Sequence, residues 1–303
     1  MKRFFCLLLG LFLLLPGCGA QNNSHDSDSF DLAATTYPVY LLTQAVTEGI
    51  DGVQVSLVID QEVSCLHNYT LTMRDMAAVE KADVLVLNGA GMEDFLTDVL
   101  AGRTVIDSSA RIELLCPEED DHDHDHGHDD HHHDKDPHLW MDPLKAAEMA
   151  QNIAAGLAEL DPEQAQVYLA NAQSVSQRLV QFHAEMTALL GEEHYDLITF
   201  HDGFGYFAES FGMHLLAAVE EEEGSEASAK AIVEITHLVQ EHGIPAVFTE
   251  VNGSDATAKV ICRECHIDTY PLSMCMSGEG GGLEAYMAVI QSNIETILEA
   301  YQP

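Results

Sequence analysis

From residue 32 onward the chain alternates short apolar runs with stretches in which apolar side chains recur every three or four positions. The runs 32–36, 53–59, 84–87 and 104–107 are short and mostly aliphatic, as buried strands are, while a stretch opened by Pro38 and another over 73–81 carry helical spacing. The rhythm resumes with strands over 195–200, 215–219, 246–249 and 267–270 and helices over 205–211, 229–242, 255–265 and 283–301. Strands and helices in strict alternation predict parallel sheets covered by helices. The expected fold class is therefore α/β, in two lobes, each with a mostly parallel four-stranded sheet flanked by helices.

Between the two halves, a helical stretch follows Asp142-Pro143, and Asp161-Pro162-Glu163 then opens a second helix with Asp as N-cap and Pro in the first turn. Its apolar positions Tyr168, Ala172, Val175, Leu179, Phe182, Met186 and Leu189 form one stripe running to Gly191. At about 1.5 Å per residue such a helix reaches on the order of 40 Å, enough to cross one domain and join the next. The stripe has few charged flanking pairs, which favours one interdomain helix over a coiled-coil oligomer. The expected organisation is an N-terminal lobe over 32–160, a joining helix over 161–191 and a C-terminal lobe over 192–303.

Two segments break the pattern. Residues 118–136 hold seven histidines between His122 and His133 together with ten carboxylates and almost nothing apolar, so they cannot pack a core and read as a mobile surface loop. The chain begins Met1-Lys2-Arg3, followed by an apolar run from 4 to 15 that is too short for a comfortable membrane span and has the form of an export signal. The small residues around Cys18 resemble a bacterial lipobox, which implies a signal over 1–18, lipidation of Cys18, and a polar tether over 19–31 that holds the protein to the outer face of the cell membrane.

The formal net charge of −39, from 51 acidic and 12 basic residues, excludes nucleic acid as a natural partner and favours cations. Beyond Cys18 the cysteines are Cys65, Cys116, Cys262, Cys265 and Cys275. An exported chain permits disulfides without requiring them. Cys262 and Cys265 share one helix with no second pair at zinc-finger spacing, so they read as buried or disulfide-linked.

Three histidines outside the low-complexity run fall at strand ends or in turns: His67, His138 and His201, the last directly after an apolar strand. In α/β sheets the carboxyl ends of strands gather ligands. Neutral imidazole suits zinc, copper, nickel or iron, whereas magnesium and calcium take all-oxygen shells.

The blocks Cys65-Leu66-His67-Asn68-Tyr69, Asn88-Gly89-Ala90-Gly91-Met92-Glu93, His138-Leu139-Trp140-Met141-Asp142-Pro143, Phe200-His201-Asp202-Gly203-Phe204-Gly205 and Phe248-Thr249-Glu250 resemble successive motifs of the zinc and manganese substrate-binding lipoproteins of ABC importers. The resemblance implies two lobes joined by one rigid helix, with the metal between them on His67 and His138 from the first lobe and His201 from the second. It implies capture of zinc outside the cytoplasm, delivery to an ABC permease and a monomeric working unit. Manganese members carry an Asp in the loop before the last helix, but 270–279 has none, which points to zinc. The fourth donor is left among Glu279, Cys275 and water, with a Cys65–Cys275 disulfide as the rival use of that thiol; Glu250 reads as a residue that orients a histidine. The His/Asp run would concentrate zinc near the cleft. The readings from other classes are an exported zinc hydrolase, since three histidines and a water also form a catalytic set, and a surface adhesin. The chain has no H-E-x-x-H helix to support the hydrolase.

Overall fold

The computed structural model describes residues 29–63, 66, 69–115, 135–220, 228–251 and 256–302. The export signal with Cys18, most of the tether, His67, Cys65, Cys116 and nearly all of the His/Asp run lie outside them.

The first lobe runs β1 (Phe30–Ala34), α1 (Tyr37–Val46), β2 (Val53–Leu57), α2 (Met73–Lys81), β3 (Val84–Leu87), α3 (Thr97–Leu100) and β4 (Val105–Asp107). Its four strands are all parallel, in the order β2-β1-β3-β4. β1 starts and stops two residues before the expected 32–36. Thr36 occupies the N-cap position of α1 in extended backbone, without a side-chain cap, and Pro38 lies in the first turn of that helix, so the chain leaves the sheet at Ala34. Thr72 opens α2 with a capping box closed by Asp75. The short turns of 94–100 carry too few apolar repeats for periodicity to reveal them.

Two long helices follow, α4 (Pro143–Leu160) and α5 (Ala165–Leu190). Asp142 caps α4 by accepting from the Leu144 amide at 2.7 Å. The joining helix begins later than expected, because Asp161 closes α4 rather than opening α5, and 162–164 form the turn between them. Its buried stripe is Tyr168, Ala172, Val175, Leu179, Phe182 and Met186, but it ends on Leu190, four residues after Met186, while Leu189 is half exposed. At about 1.5 Å per residue α5 spans about 39 Å.

The second lobe repeats the wiring of the first: β5 (Asp196–His201), α6 (Gly205–Ser210), β6 (His214–Glu220), α7 (Ala229–His242), β7 (Ala246–Glu250), α8 (Ala256–Cys265), β8 (Asp268–Leu272) and α9 (Gly282–Ala300). Its parallel sheet has the order β6-β5-β7-β8. α9 returns to pack on α1, and α5 touches α1, α4 and α9, so helices of both lobes share one apolar cluster that runs from Leu32 to Ala300. A smaller cluster lies under α7 and α8. Among the described residues no helix is long and apolar enough to cross a membrane.

Candidate metal centre

In both sheets the strand order reverses direction beside the first strand, between β1 and β3 and between β5 and β7. The carboxyl ends at such a reversal form a crevice. β5 is buried from Leu197 onward and ends on His201, which is 3% exposed. Thr199 pairs with Phe248 of β7, so two residues further on Glu250, itself buried, stands at the level of His201.

His138 approaches from the other lobe. It precedes a buried helical turn, Leu139–Met141, and is 2% exposed. Asp136 fixes it twice: one carboxylate oxygen accepts from the His138 backbone amide at 2.9 Å and lies 2.7 Å from Nδ1. For a neutral ring this partner places the proton on Nδ1 and makes Nε2 the electron-pair donor, the arrangement found behind metal-bound imidazoles. Nε2 points toward Gly203, since a Cβ built on Gly203 would stand 3.2 Å from it and 3.0 Å from Cδ2 of His201. The two imidazoles meet edge to face, with centroids 5.6 Å apart and planes at 84°. Gly203 matters here because a side chain would fill the gap between the rings.

Bonds between residues remote in sequence fix this meeting. The Trp140 indole N–H donates to the Met274 carbonyl at 2.8 Å, and the Tyr286 hydroxyl donates to the Trp140 carbonyl at 2.6 Å. The Tyr206 hydroxyl donates to the Asp136 carbonyl at 3.0 Å, and the Ser210 hydroxyl donates to Asp142 at 2.6 Å. Trp140 and Tyr286 are fully buried, so these bonds form away from competing water.

His138 and His201 are therefore brought together from opposite lobes. His67 lies outside the described residues; of its neighbours, Leu66 is buried, and Tyr69 donates its hydroxyl to Asp75 at 2.8 Å. Among the described residues no three His, Cys, Asp or Glu side chains converge closely enough to hold an ion, so neither Cys275, Glu279 nor Glu250 completes a set with the pair. Glu279 is exposed in the loop before α9. Cys275 is a buried free thiol in the left-handed backbone region, φ 58°, and burial pushes it up to about 12. Cys65, the other half of the disulfide weighed from the sequence, lies outside the described residues. Cys262 and Cys265 are also free thiols, the first buried, so they are not joined by a disulfide either.

Sequence reasoning missed Asp136, which it assigned to the low-complexity run. The residue is anchored at both ends, its amide donating to the Leu115 carbonyl at 3.1 Å and its carboxylate holding His138. The signal was its place two residues before His138, next to Pro137. Gly203 and Met274 were missed as well, because what matters at these positions is the space they leave or fill.

The family model described as zinc-uptake complex component A, periplasmic, matches residues 32–300. The chain belongs to that family. Members similar to it across their whole length include the manganese-binding lipoprotein MntA of Halalkalibacterium halodurans, 26% identical over 308 residues, 97% of each chain. The high-affinity zinc uptake system protein ZnuA of Bacillus subtilis is 26% identical over 309 residues, 97% of this chain and 96% of that one. The zinc-binding protein AdcA of Streptococcus pyogenes is 26% identical over 285 residues, 88% of this chain, which spans about 55% of that longer relative.

Solved structures share the fold. The Zn(II)-bound AdcAII variant of Streptococcus pneumoniae superposes with a TM-score of 0.78 at 24% identity, over 91% of this chain and 99% of that one. The laminin-binding protein Lmb of Streptococcus agalactiae, described as having adhesin and metal transporting activity, gives 0.75 at 24% identity, over 90% and 100%.

Proposed function

We propose that this family member captures zinc outside the cytoplasm on His67, His138 and His201 and delivers it to an ABC-type permease, held to the membrane through a lipid on Cys18 and working as a monomer. The observation that carries the reading is the pair of buried imidazoles contributed by opposite lobes, one keyed by a carboxylate on Nδ1. Nitrogen donors at this spot favour zinc over manganese, which prefers oxygen. Relatives are named for both metals, so the preference rests on the donor set and on the missing Asp in 270–279. Among the described residues neither the buried thiol of Cys275 nor a carboxylate converges on the pair, which favours water, or a carboxylate beyond those residues, for the fourth position.

Capture needs no bond-making beyond coordination. A neutral ring gives its Nε2 lone pair to the ion, and Asp136 stabilises the positive charge that the ring then shares. Because protons compete for the same lone pair, affinity falls in acid. Closing the ion between two lobes gives the permease a loaded form to distinguish from the empty one. The zinc-hydrolase alternative gains no support from the family.

The test is a chelator-competition titration of the mature protein with zinc and manganese, alongside His67→Ala, His138→Ala and His201→Ala. One tight zinc site, weaker manganese and loss of tight binding in each variant support the reading. A tight site that survives all three substitutions overturns it.

A further inference from the structure

The block Asn88 to Glu93 lies at the strand reversal of the first lobe, in the position that the His201 crevice occupies in the second. Glu93 is buried, and its carboxylate accepts from the Thr35 hydroxyl at 2.5 Å and from the backbone amides of Asn88 and Gly89 at 2.6 and 2.9 Å. Gly89, at φ 81°, passes so close to Asp107 that a Cβ there would stand 1.9 Å from Oδ1. The Ser108 hydroxyl donates to the Asn88 carbonyl at 2.9 Å. The Asn88 backbone is thus pinned to the ends of β1, β3 and β4.

Its side chain reaches the metal centre. The Asn88 Nδ2 donates to the Pro137 carbonyl at 2.9 Å and to the Gly89 carbonyl at 3.1 Å, while its Oδ1 is buried and, among the described residues, accepts no hydrogen bond. Leaving a buried acceptor unsatisfied is costly, and an apolar side chain of the same shape would avoid that cost. What the amide supplies and leucine cannot is the donation to Pro137. That carbonyl belongs to the peptide joining Pro137 to His138, so any rotation of the peptide carries the imidazole with it.

We propose that Asn88, braced by Glu93, is a positioning residue for zinc capture: it clamps the Pro137–His138 peptide from the sheet side while Asp136 clamps His138 from within the turn. The inference rests on the reading of His138 as a zinc ligand. Metal–ligand distances tolerate only about 0.2 Å, so a loose turn weakens coordination even where the protein stays folded.

Asn88→Leu removes both the donation and the unsatisfied acceptor. The relief of the orphaned Oδ1 and the loss of the donor to the Pro137 carbonyl oppose one another, so in the full-length protein the Tm of the metal-free form is expected to change by only a few degrees while zinc binding weakens roughly 10- to 100-fold, the usual effect of losing an outer-shell partner. The visible band of the Co(II)-loaded variant shifts, which a simple loss of folded protein would not produce. Asn88→Asp, equal in shape but facing Pro137 with an acceptor, shows the same loss and guards against an Asn88→Leu variant that fails to fold. His138→Ala is measured beside them. If it loses tight zinc while both Asn88 variants bind zinc and Co(II) as the wild type does, the positioning role is wrong. If His138→Ala itself binds as wild type, the ligand assignment fails and the positioning role falls with it.

Discussion

Replacing Gly203 with alanine places a methyl group into the narrowest part of the proposed centre. Its Cβ would lie 2.3 Å from Cε of Met274, 3.0 Å from Cδ2 of His201 and 3.2 Å from Nε2 of His138. Carbon atoms rest at about 3.5 to 4.0 Å, so the Met274 methyl must retreat by about 1.2 Å or more and both rings must give way slightly. Met274 is buried but unbranched, so its tip can move. The rings cannot move as cheaply, since Asp136 holds one and the buried end of β5 the other. Overpacking of this kind costs about 1–3 kcal/mol. If the strain falls on the loaded geometry, zinc binding weakens by roughly 5- to 150-fold, at about 1.4 kcal/mol per decade. Chelator competition and thermal melts of the metal-free protein measure the two effects separately. Gly203→Ala combined with Met274→Ala recovers part of the lost affinity, because the closest contact is gone. A single Gly203→Ala variant with wild-type affinity and wild-type Tm would refute the packing described here.

Three other outcomes are expected. Asp136→Asn keeps the shape beside His138 but no longer supports a positive ring, so zinc affinity falls roughly 10- to 100-fold, measured by the same competition; an unchanged value removes Asp136 from the site. Burial outweighs three hydrogen-bond donors at Glu93 and pushes its carboxyl from 4.5 to about 7. Between those values the folded protein holds a proton on Glu93 that the unfolded chain has lost, so this group's contribution to stability is full below 4.5 and is lost, by up to about 3 kcal/mol, as pH rises through 7. Urea unfolding of metal-free Glu93→Gln should therefore show a flatter slope than wild type from pH 5 to 7.5, and identical slopes contradict the assignment. Burial also raises the Cys262 and Cys275 thiols, to about 11 and about 12. Both should react with a disulfide reagent at neutral pH only on unfolding; fast native reaction at Cys275 would show it to be an exposed or activated thiol.

Much of the fold was legible because short-range periodicity carries it. The strands of both sheets lie within about two residues of the apolar runs, and their parallel sense follows from alternation, whereas the shared strand order does not. What periodicity misplaced was local competition for a helix end: Asp161 fits the N-cap pattern, yet it closes α4, and 162–164 turn the chain. At the centre, His201 could be singled out from its place at the end of an apolar strand, which proves to be the last residue of β5, and His138 from the Asp-Pro-His turn. The supporting residues could not. Trp140 and Met274 are 134 residues apart, and Tyr286 is 146 from Trp140. Nothing in a local pattern foretells that these meet. Asp136 was hidden by composition, since one carboxylate among ten in the His/Asp run looks like all the others.

X-ray absorption of the zinc-loaded protein counts the donors around the ion itself. The expected spectrum has a nitrogen and oxygen shell at about 2.0–2.1 Å with the multiple scattering of imidazole rings and no sulfur near 2.3 Å, and His138→Ala and His201→Ala each lower the imidazole count. A sulfur shell, or a spectrum unchanged by either substitution, would contradict zinc capture on these histidines.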